Sequence, residues 1–174
     1  MENPLLEPSP LMFLQSEPAA LTHGKFIQKL WGWEEIVANY PGYCCKIITA
    51  LPNGNACSIH YHKIKHETFR VLSGALYMEL YAVYKKRVPK WVPRVKEPYM
   101  RYATMKIMPG QIVTLPQFVG HRFWAQEEPA VFVEASTHDA PKDSIRLVES
   151  GPIKWINPED AHVRTARAIH VHLK

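Results

Sequence analysis

The sequence has only three cysteines, Cys44, Cys45 and Cys57, and an odd number that includes two neighbours is a poor disulfide framework, because adjacent residues do not normally reach the bridging geometry. Disulfide stapling is therefore excluded as the main source of stability, and a reducing, cytoplasmic setting is expected. Long hydrophobic runs are missing as well. No apolar stretch approaches the roughly 20 residues needed to span a bilayer, and residues 1–15 lack a basic start followed by a long apolar stretch, so neither insertion into a membrane nor export is expected. There is no internal repeat, no low-complexity segment and little helix signal. The best helix candidate is short and follows Asn157, with Pro158 at the first helical position and Glu159 and Asp160 at its positive end.

What is present is globular composition. The chain has 174 residues, 47% of them hydrophobic and 21% charged, which is enough for one core and too little for two ordinary domains. The net charge of +5 is unevenly placed: eight of the 21 basic residues fall within 85–106, where Glu97 is the single acid. That segment, interleaved with Trp91, Tyr99 and Tyr102, suits either single-stranded nucleic acid or the attraction of phosphorylated small molecules. With Pro89, Pro93 and Pro98 it also reads as a solvated hairpin insertion, and nucleic acid is not the favoured partner.

Residues 1–24, with Pro4, Pro8, Pro10 and Pro18, suit an extended arm, since proline is excluded from helix interiors and central strands. From about Lys25 onward, short runs of β-branched and aromatic residues alternate with Gly, Pro and Asn punctuation, the pattern of an all-β sandwich or barrel. Strands are expected at 34–38, 43–50, 56–62, 67–73, 76–83, 101–107, 112–115, 122–125 and 130–136. Turns at Pro52-Asn53-Gly54, Ser73-Gly74 and Pro109-Gly110 join them. The barrel is expected over 25–150 with the basic insertion at about 84–106, and 151–174 as an extension packing on the barrel or on a dimer partner. Within that extension Ala168 to Lys174 alternates like a strand, and His170 and His172 form either a second chelate or its wet face.

The stretch from Cys57 to Glu67 carries the chemistry. Residues two apart on a strand point to the same face, so His60 and His62 can share one ion, whereas on a helix they would diverge. The turn over 63–66 then returns the chain so that Glu67 offers a carboxylate from the neighbouring strand. A fourth ligand, His121, follows a turn bracketed by Pro116 and Gly120. Three imidazoles and a carboxylate leave open positions on one divalent metal ion per chain, and suit Fe, Mn, Ni or Zn.

This spacing resembles the cupin superfamily. Gly54, His60, His62, Glu67 and Gly74 stand at the intervals of its first motif, and Gly110, Pro116 and His121 follow the second, with Phe118 where a glycine is usual, Gly120 closer to the histidine, and Ala125 where asparagine often occurs. The resemblance implies a double-stranded β-helix, or jelly-roll antiparallel barrel, with the ion inside and frequent dimers. The flanking segments Lys29-Leu30-Trp31-Gly32-Trp33-Glu34-Glu35, Phe132 to Thr137 and Asp143 to Leu147 are similar to those of type II mannose-6-phosphate isomerase domains. That likeness implies a metal-dependent isomerase or epimerase acting on a sugar or sugar phosphate, with Arg146 at the site and Glu134 as a carboxylate near the barrel mouth.

Blander readings stand beside each of these. Arg146 serves equally as a surface ion pair with Asp143 or Glu149, Glu134 as a solvent-facing strand residue, and Trp31 and Trp33 as core rather than sugar platforms. For the whole protein the alternatives are a non-catalytic carbohydrate-binding or assembly cupin, and an Fe(II) cupin dioxygenase.

Overall fold

The computed structural model describes residues 24–83 and 99–153. The amino-terminal arm before Gly24, residues 85–98 of the basic segment, the helix expected after Asn157 and the alternating stretch with His170 and His172 lie outside the described residues. Within them, thirteen strands, numbered β1–β13 along the chain, follow one another with no α-helix.

Two sheets face each other. The first runs, in spatial order, β1 (Lys25–Lys29), β2 (Gly32–Tyr40), β3 (Tyr43–Ala50), β11 (Ala130–Ser136), β6 (Glu67–Ser73) and β9 (Ile112–Leu115); the second runs β12 (Ser144–Val148), β5 (Ile59–His62), β10 (Val119–Ala125), β7 (Leu76–Val83) and β8 (Tyr99–Ile107). A two-residue pair, β4 (Asn55–Ala56) with β13 (Gly151–Pro152), completes the framework. Every pairing is antiparallel. From β5 onward the chain repeatedly crosses between the sheets, which winds it into the double-stranded β-helix of a jelly roll.

Strand periodicity sorts the side chains. In β7, Leu76, Met78 and Leu80 face the interior and are buried, while Glu79 points to the other face. That carboxylate is itself only 2% exposed, and it accepts hydrogen bonds from Tyr81 Oη, Arg101 and Arg122, so the buried charge is answered on three sides. Arg101, one of the cations of the basic segment, is thus committed to an ion pair within the sheet.

The apolar core fills one half of the barrel. Trp31 packs edge-on against Phe123 with ring centroids 4.9 Å apart, and Phe132 lies 5.1 Å from Phe123 and 5.4 Å from Phe69. Burying each such side chain stabilises the fold by roughly 1.5–3 kcal/mol. The same strands change character on the way to the other half. Phe69 is followed inward by Glu67, Ile48 by Lys46, Phe132 by Glu134 and Phe123 by His121, all buried.

Several boundaries differ from those read in the sequence. The run at 56–62 breaks at Cys57 and Ser58, where the Cys57 amide turns aside to donate to the Phe123 carbonyl at 3.0 Å. β1 and β12, absent from the expected set, each form one edge of their sheet and pair on one side only, so their sequences carry little of the two-sided apolar signal that marks central strands. The turn before β10 contains Phe118 with φ of 64°, a left-handed conformation at the very position where the resembling motif carries glycine. Its amide donates to the His62 carbonyl at 2.7 Å, which ties this turn to the end of β5.

The left-handed backbone makes a differential prediction. Phe118→Gly and Phe118→Ala both delete the ring, but only glycine relieves the conformation, so the glycine variant should be the more stable by about 0.5–1 kcal/mol in urea unfolding. An alanine variant equal to or above it would show that the turn relaxes.

Candidate metal centre

β5 and β10 are neighbours, with His121 directly opposite His60. Alternation therefore turns His60, His62 and His121 to the same interior face. The rings of His60 and His121 are 4.4 Å apart and those of His60 and His62 5.2 Å, and one nitrogen from each lies within 4.8 Å of the others.

Glu67 approaches from elsewhere than the sequence suggests. The turn over 63–66 does not fold β6 back beside β5; it carries the chain across the interior, so Glu67 faces the imidazoles from the opposite sheet. Its Oε1 is 3.6 Å from His62 Nε2 and its Oε2 is 3.4 Å from His121 Nε2. The reason is pairing: β6 finds its partners in β11 and β9, and β5 in β10 and β12.

Hydrogen bonding fixes which nitrogens look into the cleft. His60 Nδ1 lies 2.9 Å from the Ser58 carbonyl oxygen and His121 Nδ1 lies 3.2 Å from that of Val119. A carbonyl can only accept, so both Nδ1 atoms donate and both Nε2 lone pairs are left for a ligand. His121 Nε2 and His62 Nδ1 are fully buried without a hydrogen-bond partner among the described residues, an arrangement that native interiors seldom leave uncompleted.

Electrostatics favours the ligating forms. Burial, reinforced by nearby His121, lowers the His60 pKa to about 3. Burial likewise lowers His62 and His121, against the opposing pull of Glu67. Burial works against ionisation of Glu67, but His121 and Lys65 outweigh it and hold the carboxyl below its usual range. Neutral imidazoles and an ionised carboxylate are what a divalent cation requires, so the donor set and the orphaned Nε2 of His121 fit such an ion.

Beside these four residues lies a group of charged side chains of which the sequence singled out only Glu134. Lys65, 3% exposed, places Nζ 2.9 Å from Glu67 Oε1, 2.5 Å from Glu134 Oε1 and 3.2 Å from Asp139 Oδ1. Lys46 Nζ lies 2.7 Å from Asp139 and 3.5 Å from Glu34. Burial opposes the Lys65 charge, yet Glu134, Glu67 and Asp139 raise its pKa. Burial raises the pKa of Glu134, with Lys65 and Lys46 pulling it back. One signal for Lys65 was available: it stands two residues before Glu67, so an extended entry into β6 turns both to the same side.

All of this lines one cavity of about 410 Å³, floored by Trp31, Phe69 and Phe123. Glu134 points into it and is 3% exposed. Arg146, opposite His60 in register, also lines it, but its guanidinium lies 3.2 Å from Glu149 and is largely exposed. Trp31 belongs to the core, while Trp33 is not among the lining residues and stacks obliquely on Phe26 at 6.0 Å. His66 is exposed, and its amide donates to Thr137 Oγ1.

Comparison with solved structures places this architecture. The chain is similar to the capsular polysaccharide assembling protein CapF of Staphylococcus aureus, with a TM-score of 0.54 at 15% identity over 79% of this chain and 34% of that one. It is also similar to the oxalate decarboxylase of Lactobacillus farciminis, with a TM-score of 0.52 at 12% identity over 77% and 38%, and to that of Bacillus subtilis, a protein with Mn(II) centres, with a TM-score of 0.50 at 19% identity over 71% and 30%. The chain thus spans about a third of the length of these proteins. An antiparallel jelly roll of this kind, carrying the two spaced motifs, is a cupin. Within that class a family model described as D-lyxose isomerase matches residues 33–166, and the chain belongs to this family. Among the described residues no helix is long and apolar enough to cross a membrane.

The lowered histidine values fix the sign of an acid response. A histidine whose folded pKa lies below its ordinary 6.5 binds fewer protons folded than unfolded, so stability is complete above pH 6.5 and is lost as pH falls toward the folded value, about 3 for His60. The metal-free protein should therefore show a Tm that declines from pH 7 to pH 4, and His60→Gln should flatten that slope. A slope unchanged by the substitution would mean that His60 is not held neutral.

Proposed function

We propose that the cleft binds one divalent cation through His60, His62, Glu67 and His121, and that the protein interconverts an aldose and its ketose. The observation that carries this reading is the buried contact between Lys65 and Glu134, 2.5 Å long, which opens onto the same cavity as the four ligating groups. Membership of a sugar isomerase family supports the substrate class, and a cavity of about 410 Å³, near the small end of ligand pockets, suits a monosaccharide.

Aldose–ketose isomerisation takes a proton from C2 of the open-chain aldose, returns one to C1, and moves a proton from the C2 hydroxyl to the carbonyl oxygen. Glu134, with its pKa raised by burial, is the base at carbon. Lys65, held cationic by its carboxylate neighbours, is the donor that faces the sugar oxygens. While Glu134 holds the C2 proton, Glu67 and Asp139 still answer the Lys65 charge at 2.9 and 3.2 Å. Lys65 gives a proton to the carbonyl oxygen and recovers one from the C2 hydroxyl, and Glu134 returns its proton to C1, so both groups end as they began. A divalent cation, when bound, supplies Lewis-acid stabilisation of the negative charge that develops on those oxygens. Fe(II), Mn(II), Ni(II) and Zn(II) all suit the ligand set. Arg146, on the cleft wall beside His60, is placed to hold a hydroxyl or phosphate of the sugar.

Two measurements test the proposal. Element analysis should find one metal ion per chain in the parent protein and none in His62→Ala; full metal in that variant would sink the ligand set. In deuterium oxide, with a panel of aldoses and aldose phosphates, the parent should incorporate deuterium during interconversion. Glu134→Gln should keep its metal while kcat falls by about 10²–10⁴. Turnover by Glu134→Gln at the parental rate, or no exchange with any sugar, would overturn the isomerase reading.

A further inference from the structure

Asp143 belongs to none of the groups assigned above, yet it is 6% exposed and its carboxylate is saturated with contacts. It ends the 3-10 turn Pro141–Asp143 that leads into β12. Its Oδ1 accepts from the amides of Lys63 and Ile64 at 3.0 Å each, and its Oδ2 from those of Ile64 and Lys65 at 3.2 and 2.8 Å. The same Oδ2 lies 3.5 Å from His62 Nδ1, one of the two buried ring nitrogens without a partner.

We infer that Asp143 is a positioning residue that orients His62 and places Lys65 through one carboxylate, coupling the metal ligand to the proton-transfer pair. This rests on the four-residue metal site proposed above. The turn over 63–66 is the element that crosses from one sheet to the other, so its amides have no ladder partners. Three successive amides converging on one anion fix the path of such a turn. On that path the chain delivers His62 at one end, Glu67 at the other and Lys65 between them.

The contact with the ring adds a chemical role. His62 Nε2 is the nitrogen that faces Glu67, which leaves Nδ1 to carry the proton. A carboxylate that receives this proton fixes the tautomer, holds the ring plane and raises the basicity of the ligating nitrogen. Register supports the placement: Ser144, the next residue after Asp143, is paired with His62 across β12 and β5. The position is thus set by the sheet, and does not depend on a mobile side chain reaching inward. A residue that only capped the turn would leave the affinity of the metal site unchanged once the fold was intact.

The test measures Zn(II) affinity by chelator competition, with Co(II) absorption as the signature of ligand geometry. Asp143→Asn retains an accepting oxygen for the turn but lacks the charge facing His62; it should bind Zn(II) about 10–100-fold more weakly, with a shifted Co(II) spectrum. Glu79→Gln, on the outer face of the second sheet, controls for lost stability. Zn(II) affinity of Asp143→Asn within twofold of the parent, or weakened no more than in Glu79→Gln, would overturn the inference. Should Asp143→Asn fail to fold, nitrogen-15 spectra of the Zn(II)-loaded parent decide instead: a His62 Nδ1 proton shifted downfield by a carboxylate acceptor is expected, and its absence refutes the role. If His62→Ala keeps its Zn(II), the metal site itself is wrong. If His62→Ala loses Zn(II) while Asp143→Asn binds normally, only the positioning role falls.

Discussion

Charge buried inside a barrel has to be answered inside the barrel, and the architecture around the cleft follows from that requirement. Removing one partner of a buried ion pair typically costs about 3–5 kcal/mol, so the placement of Lys65 and Lys46 binds several elements together. Glu67 comes from β6, Glu134 from β11, Glu34 from β2 and Asp139 from the loop after β11. Asp139 is in turn tethered by its backbone to the side chain of Asn39, at 2.9 and 3.0 Å. The two ammonium groups face four carboxylates, with Lys29 at the rim meeting part of the deficit at Glu34. Burial favours the neutral form of the imidazoles alongside, so the proposed divalent cation would offset the remaining negative charge.

The barrel tolerates this polar half because the other half is apolar and closely packed. Individual strands contribute to both: β6 supplies Val71 and Phe69 before it supplies Glu67 in the inward series, and β11 supplies Ala130 and Phe132 before Glu134. The four proposed ligands and Glu134 therefore sit on rigid strands whose far ends are locked in the core, which holds side chains more closely than loops can. The proposed ligand set also spans both sheets, with three imidazoles on one and the carboxylate on the other, so a bound ion would tie them together at the end away from the apolar core.

Local periodicity made much of this legible. A spacing of two placed His60 and His62 on one face, and the glycine and proline punctuation marked most strands and turns. The sequence could not show which sheet each strand would join, because pairing is a long-range choice; hence Glu67 was expected beside His62 and is found across from it. Asp143 and the amides of 63–65 are about 80 positions apart, and no local pattern links them. Lys65 was legible in principle, since it shares the parity of Glu67, but a lysine in a turn ordinarily points to water.

The insertion of β11 between β3 and β6 also dictates when the molecule can come into being. Phe132 pairs with Ile48, 84 positions earlier, and with Val71 on its other side. At 5–20 residues per second of synthesis, β3 waits roughly 4–17 s for the strand that will cover its edge. During that interval the nascent chain carries an open edge and a half-made apolar face, and closure afterwards proceeds through distant contacts, which are slow to form. Emergence of a single seven-residue strand from the ribosome is thus the event that lets the interior close, and Glu134 arrives on that strand.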